Sequence, residues 1–182
     1  MKNDIARILL SEEEIQARVR EIAEQISRDY AGKNPIMVCI LKGAVLFYTD
    51  LLRNMDIPMQ MDFMAVSSYG NKTESSGEVK ISKDLSVSIE NRHVIIVEDI
   101  VDSGFTLTHL CRILNNRGAA SIALCTLLDK PARRAPGITL KSDYSGFNIG
   151  DEFVVGYGLD YAERYRNLPF VGVLKPEVYE KL

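Results

Sequence analysis

The stretch HVIIVEDIVDSGFTLTHL, residues 93–110, decides the fold. Val94, Ile95, Ile96 and Val97 form a β-branched apolar run of the length that suits a buried parallel strand. Glu98 and Asp99 follow at once, where such a strand reaches its C-terminal edge. Asp102, Ser103, Gly104, Phe105 and Thr106 then read as a small polar turn, with Leu107, Leu110, Ile113 and Leu114 recurring at helical spacing behind it. A strand, a hydroxyl- and glycine-bearing turn and a helix N-terminus together make an anion site, because free N–H groups and the positive end of the helix dipole converge there. The two carboxylates cannot serve that anion directly. They suit hydroxyl groups and a divalent metal beside it, so the implied ligand carries both a phosphate and a sugar diol.

Outward from this stretch, strand and helix alternate. Ser11 with Glu14 makes a capping box that opens an amphipathic helix through Tyr30, stopped by Gly32. Ile36 to Leu41 is a second buried-strand candidate, and Lys42-Gly43 turns the chain into a helix from about Ala44 to Asn54. Strands are expected at Met59 to Ser68, Val79 to Ile81, Ile122 to Leu128, Tyr144 to Ile149 and Phe153 to Gly156, followed by a polar, aromatic tail. The alternation predicts an α/β fold with a mostly parallel sheet flanked by helices, whose ligands sit beyond the C-terminal strand ends where Lys42 and Glu98 fall.

Composition narrows the function classes. A chain of 182 residues, 46% hydrophobic, suffices for one globular domain with a sizeable core. A net charge of −3 argues against a broad nucleic-acid footprint, which needs a basic face. No segment approaches a membrane span, and the N-terminal apolar run is too short for a signal peptide, so a cytoplasmic protein is expected. Cys39, Cys111 and Cys125 read as small buried hydrophobes in a reducing compartment. His93 and His109 form no plausible pair with them.

Val97 to Thr106, two acids followed by a D-[ST]-G-x-T loop, resembles the phosphoribosyl-diphosphate (PRPP) signature of type I phosphoribosyltransferases. Leu41-Lys42-Gly43-Ala44 resembles their pyrophosphate loop, in which a cis peptide often precedes the lysine. Ser68-Tyr69-Gly70 and the polar residues after it resemble their mobile flap, about 68–80. Leu127 to Pro131, together with Phe153 to Tyr161 and Arg166, resembles the hypoxanthine-guanine branch. Each segment has a bland alternative taken alone: a solvated helix-start lysine for Lys42, a flexible hairpin for the flap, a solvated turn residue for Lys130, a core aromatic for Phe153. The segments occur in the family's order across roughly Ile36 to Arg166.

The resemblance implies a type I phosphoribosyltransferase fold spanning 1–182, with a small hood formed by the terminal segments, mainly 130–175. It implies a purine salvage enzyme that transfers the phosphoribosyl group of PRPP to a 6-oxopurine, with Mg²⁺ as cofactor and Mn²⁺ able to substitute. Glu98 and Asp99 are expected on the ribose hydroxyls and metal, and Asp160 at a second metal. Ser103, Gly104, Phe105 and Thr106 are expected on the 5′-phosphate, with Lys42, Gly43 and Arg166 on pyrophosphate. Lys130 is expected on the purine O6, Phe153 on its face, and Val154 backbone groups on its far edge. Asp102, beside the phosphate but repelled by it, is expected as general base at purine N7. Ser68 and Tyr69 are expected in the flap. Family members are typically homodimers or homotetramers, with no nucleic-acid or membrane partner implied. A relative that binds RNA or an operator would need a basic stripe, and a xanthine- or pyrimidine-preferring transferase would need a different Lys130 and Phe153 segment.

Overall fold

The computed structural model describes residues 1–68 and 79–180. Its central sheet has the strand order β4-β3-β2-β5-β6-β7, built from β2 (Ile36–Leu41), β3 (Gln60–Ser68), β4 (Val79–Lys83), β5 (His93–Val101), β6 (Ser121–Asp129) and β7 (Tyr144–Asn148). All neighbours pair in parallel except β4, which closes one edge antiparallel to β3. Helices α1 (Glu12–Asp29) and α2 (Val45–Arg53) lie on one face, and α3 (Phe105–Asn116) on the other.

The pleat divides the strand residues between two apolar layers. Met37, Cys39, Ile95 and Val97 pack with Ile15, Val19, Ile22 and Phe47 of α1 and α2. Their neighbours Ile36, Val38, Val94 and Ile96 pack with Leu107, Leu110 and Leu114 of α3. Both faces being covered explains why these strands are apolar throughout rather than alternating. Ser11 caps α1 as expected: its Oγ accepts from Glu14 N at 3.2 Å, while Glu14 Oε2 accepts from Ser11 N at 2.7 Å.

The ends of the chain form a second sheet, order β1-β9-β8, from β1 (Ile5–Leu10), β8 (Val154–Val155) and β9 (Val171–Leu174). This departs from the expected polar, aromatic tail: β9 and a last turn of helix, α4 (Pro176–Tyr179), lie within it. β9 is only four residues long and contains Gly172, and β1 exposes three consecutive residues, so neither carries a legible strand period.

Two further differences affect the site. β5 does not end at Val97. Its pairing with β2 stops at Cys39↔Val97, but its pairing with β6 runs on to Val101↔Asp129. Glu98 and Asp99 therefore lie inside a strand on one side and beyond a strand edge on the other, which opens a cleft beside them. The signature turn is also shorter than expected. α3 starts at Phe105, capped by Gly104 at φ +82°, so Phe105 and Thr106 form its first turn.

Candidate active site

A cleft of about 460 Å³ opens at the C-terminal ends of β2, β3 and β5. Lys42 and Gly43 line it from the end of β2, Glu98 and Asp99 from β5, and Asp102, Ser103, Gly104 and Thr106 from the turn and first helical residues. Asp160 and Arg166 close it from the segment after β8. These ten sequence-predicted residues come from three separated parts of the chain. Ser67, which the sequence reading passed over, also lines the cleft; it sits beside Ser68 at the end of β3, where no motif marks it. Tyr69 and most of the expected flap lie outside the described residues.

The acidic pair is held by the backbone. Asp99 N donates to Glu98 Oε1 at 3.1 Å, and Ile100 N donates to Asp99 Oδ1 at 2.7 Å. Burial, and then the charge of Asp99, pushes the Glu98 carboxyl well above its ordinary range. Burial also raises Asp99, against the hydrogen bonds it accepts and the field of Arg166. Two desolvated acids side by side are a natural seat for a hard cation or for hydroxyl donors.

The basic wall faces them. The Leu41–Lys42 peptide is cis, the form that the family resemblance leads one to expect. Gly43 follows it for a steric reason: a Cβ there would lie 2.7 Å from Asp99 Cγ and collide with the carboxylate itself. Gly158, at φ +101°, packs against the Gly43 carbonyl and leaves it no more room for a side chain. Lys42 Nζ pairs with Glu163 Oε2 at 3.1 Å. Arg166 donates to Gly158 O at 2.8 Å and pairs with Asp160 at 2.8 Å and Glu163 at 3.4 Å. Lys42 holds the Glu163 carboxyl below its usual range, with Arg166 adding to the effect.

Asp102 points its carboxylate at Arg133, whose Nε donates to Oδ1 at 3.0 Å; Arg133 also reaches Asp151 at 3.4 Å. Arg134 clamps the turn from beneath, donating to Asp102 O at 2.7 Å and Val101 O at 3.2 Å while pairing with Asp129 at 2.6 Å. Neither arginine was singled out in the sequence. Their adjacency to Lys130-Pro131 was the available signal, and it gives no indication of contact with the signature turn.

Lys130, Phe153 and Val154 stand apart from the cleft walls. Lys130 is 8% exposed, so it is not a solvated turn residue; its N–H donates to Val101 O at 2.9 Å and its Nζ to Glu152 O at 2.8 Å. Phe153 is 38% exposed, so it is not a core aromatic; it stacks on Tyr179 at 4.9 Å and meets Tyr161 edge-to-face. Val154 is buried in β8, paired with Val173. Phe105 is exposed at the start of α3 and does not line the cleft with its neighbours.

Comparison with known proteins agrees with this geometry. The pattern of the phosphoribosyl transferase domain matches residues 7–162. The chain is 56% identical over its whole length to the bifunctional protein TilS/HprT of Listeria innocua, and spans 28% of that protein. It is 55% identical to the hypoxanthine-guanine phosphoribosyltransferase of Bacillus subtilis over 99% of both chains. A crystal structure of a hypoxanthine phosphoribosyltransferase from Staphylococcus aureus superposes with a TM-score of 0.94 at 51% identity, covering 98% of this chain and 96% of that one. An acidic strand end, a D-S-G-F-T helix start and a glycine-backed lysine around one cleft, with likeness over the full length, establish that the chain belongs to the phosphoribosyl transferase family, in its hypoxanthine-guanine branch.

Proposed function

We propose that this chain transfers the 5-phosphoribosyl group of PRPP to N9 of hypoxanthine or guanine, giving the nucleoside monophosphate and pyrophosphate. The observation that carries this reading is the opposition of Glu98 and Asp99 to Lys42 and Arg166 across one cleft. In the reaction the C1′–pyrophosphate bond breaks, the electron pair leaves with pyrophosphate, and the purine N9 lone pair closes on C1′. The purine's N7 proton goes to Asp102. Positive charge builds on the ribose ring, as in glycoside cleavage, and is stabilised by acids nearby. Negative charge builds on the leaving group, which Lys42, the amides beside Gly43 and Arg166 receive.

Ser103, Gly104, Phe105 and Thr106 bind the 5′-phosphate through the amides and hydroxyls at the start of α3, where the helix dipole favours an anion. Lys130 reads O6. An ammonium has three hydrogens, so the one given to Glu152 O leaves others for the base. Adenine, which offers a donor at that position, is rejected. Phe153 stacks on the purine and Val154 backbone groups read its far edge.

Among the described residues no three His, Cys, Asp or Glu side chains gather to hold a metal by themselves. The donors here are carboxylate oxygens, with Asp160 turned to Arg166 rather than to the acidic pair. That fits Mg²⁺ or Mn²⁺, which accept few protein ligands and complete their shell with water and substrate phosphate. Glu98, Asp99 and Asp160 are the residues that would hold it, and it would supply charge neutralisation for the diphosphate. We further propose a single domain over 1–182 with a hood mainly at 130–175, a flap about 68–80, a cytoplasmic setting and a homodimer or homotetramer; of the described residues, no helix is long and apolar enough to cross a membrane. A rate screen of hypoxanthine, guanine, xanthine and adenine with PRPP and Mg²⁺ tests the reading. Turnover of the first two is expected, and adenine as the preferred base would overturn it.

A further inference from the structure

Glu163 has no role in the reaction as written, yet it holds both cations assigned to pyrophosphate. One carboxylate oxygen pairs with Lys42 Nζ at 3.1 Å and the other with Arg166 Nη2 at 3.4 Å. Its position is set by the backbone. Glu163 N donates to Asp160 Oδ2 at 2.8 Å, and Tyr161 and Arg164 bridge across a tight turn. Within that turn Ala162 and Glu163 both adopt positive φ, +51° and +59°, a conformation non-glycine residues enter rarely. The turn thus presents a carboxylate to two cations from separate parts of the chain, one on the β2 loop and one after β8.

We propose that Glu163 is an internal stand-in for the diphosphate, occupying Lys42 and Arg166 in the free protein and yielding them when PRPP or pyrophosphate binds. This rests on the assignment of Lys42 and Arg166 to pyrophosphate. The carboxylate keeps the two like charges of the basic wall from repelling each other, and it competes with the incoming anion. The competition lowers affinity for the diphosphate in PRPP and in the product alike. Binding is weakened, but release of pyrophosphate is hastened.

Glu163→Gln tests this. The side chain is two-thirds exposed, so the change removes charge without disturbing the core. Titration calorimetry with pyrophosphate and Mg²⁺ should show roughly three- to tenfold tighter binding in the variant, the scale expected for deleting a carboxylate from two solvent-accessible ion pairs. The KM for PRPP should fall in parallel, the KM for hypoxanthine should stay unchanged, and the gain should shrink as ionic strength rises. Equal or weaker pyrophosphate binding in the variant, with the wild type binding normally, would overturn the stand-in role while leaving the assigned reaction intact. If the wild type bound neither pyrophosphate nor PRPP, the reading of the cleft itself would fail.

Discussion

Replacing Gly43 with Ala tests whether the basic and acidic walls are built against each other. The added Cβ would sit 2.7 Å from Asp99 Cγ and collide with Oδ2. Asp99 cannot turn away freely, because its Oδ1 is held by Ile100 N at 2.7 Å, so moving it sacrifices a hydrogen bond of about 1 kcal/mol. The Gly43 loop cannot back off either, since its carbonyl is already packed against Gly158. Overpacking of this kind costs roughly 1–3 kcal/mol, and whatever is released by shifting Asp99 or Lys42 reappears as lost binding. In kinetic terms that is about a 5- to 150-fold fall in kcat/KM for PRPP. Steady-state rates with each substrate varied in turn, beside thermal unfolding of the free protein, would measure both parts. The KM for hypoxanthine should move little. A variant with wild-type stability and an unchanged PRPP term would refute the claim that Gly43 exists to admit Asp99.

Lys130→Ala removes the only donor assigned to O6, and should cost roughly 1–3 kcal/mol in kcat/KM for the base while sparing the KM for PRPP. Asp102→Asn keeps shape and polarity but cannot take the N7 proton; kcat should fall by ~10²-fold or more, with PRPP binding retained by calorimetry. Ser11→Ala breaks the capping box of α1 and should lower stability by about 1 kcal/mol in urea titrations, without altering rates. Arg117 donates twice to Asp84 and holds that carboxyl below its usual range, so the pair stabilises the fold above the ordinary aspartate range and ceases to do so as pH falls below it. Arg117→Ala should therefore lose a small amount of stability at neutral pH, and its acid unfolding curve should converge on that of the wild type below pH ~4.

The parts of the fold that were legible share one property: their buried residues form a local apolar run or a local helical period. The run 36–41 and the helix from Ser11 are each decided by residues within a few positions of one another. β1 and β9 are not, because they pair with each other across more than 140 residues and are exposed over three consecutive residues or interrupted by Gly172. The site divides the same way. Its acids, turn and lysine are marked by spacing within single segments. Arg133, Arg134 and Glu163 act on residues far away in sequence, and a single arginine or glutamate carries no sign of its distant partner.

The contacts that escaped the sequence reading are those that join the segments. Arg134 ties the signature turn to the end of β6 through Asp129, and Lys130 ties the same strand end to the residue before Phe153 through Glu152 O. Glu152 in turn pairs with Arg7 of β1, so the small sheet is anchored to the segment proposed to read the base. The signature turn, the segment proposed to read the purine and the small sheet are thereby referred to one element, the C-terminal end of β6. An N9 attack demands that the base be positioned closely against C1′, although in the proposed assignment ribose and base are held by different parts of the chain. A shared strand end meets that demand, because any motion of β6 carries both halves of the site together.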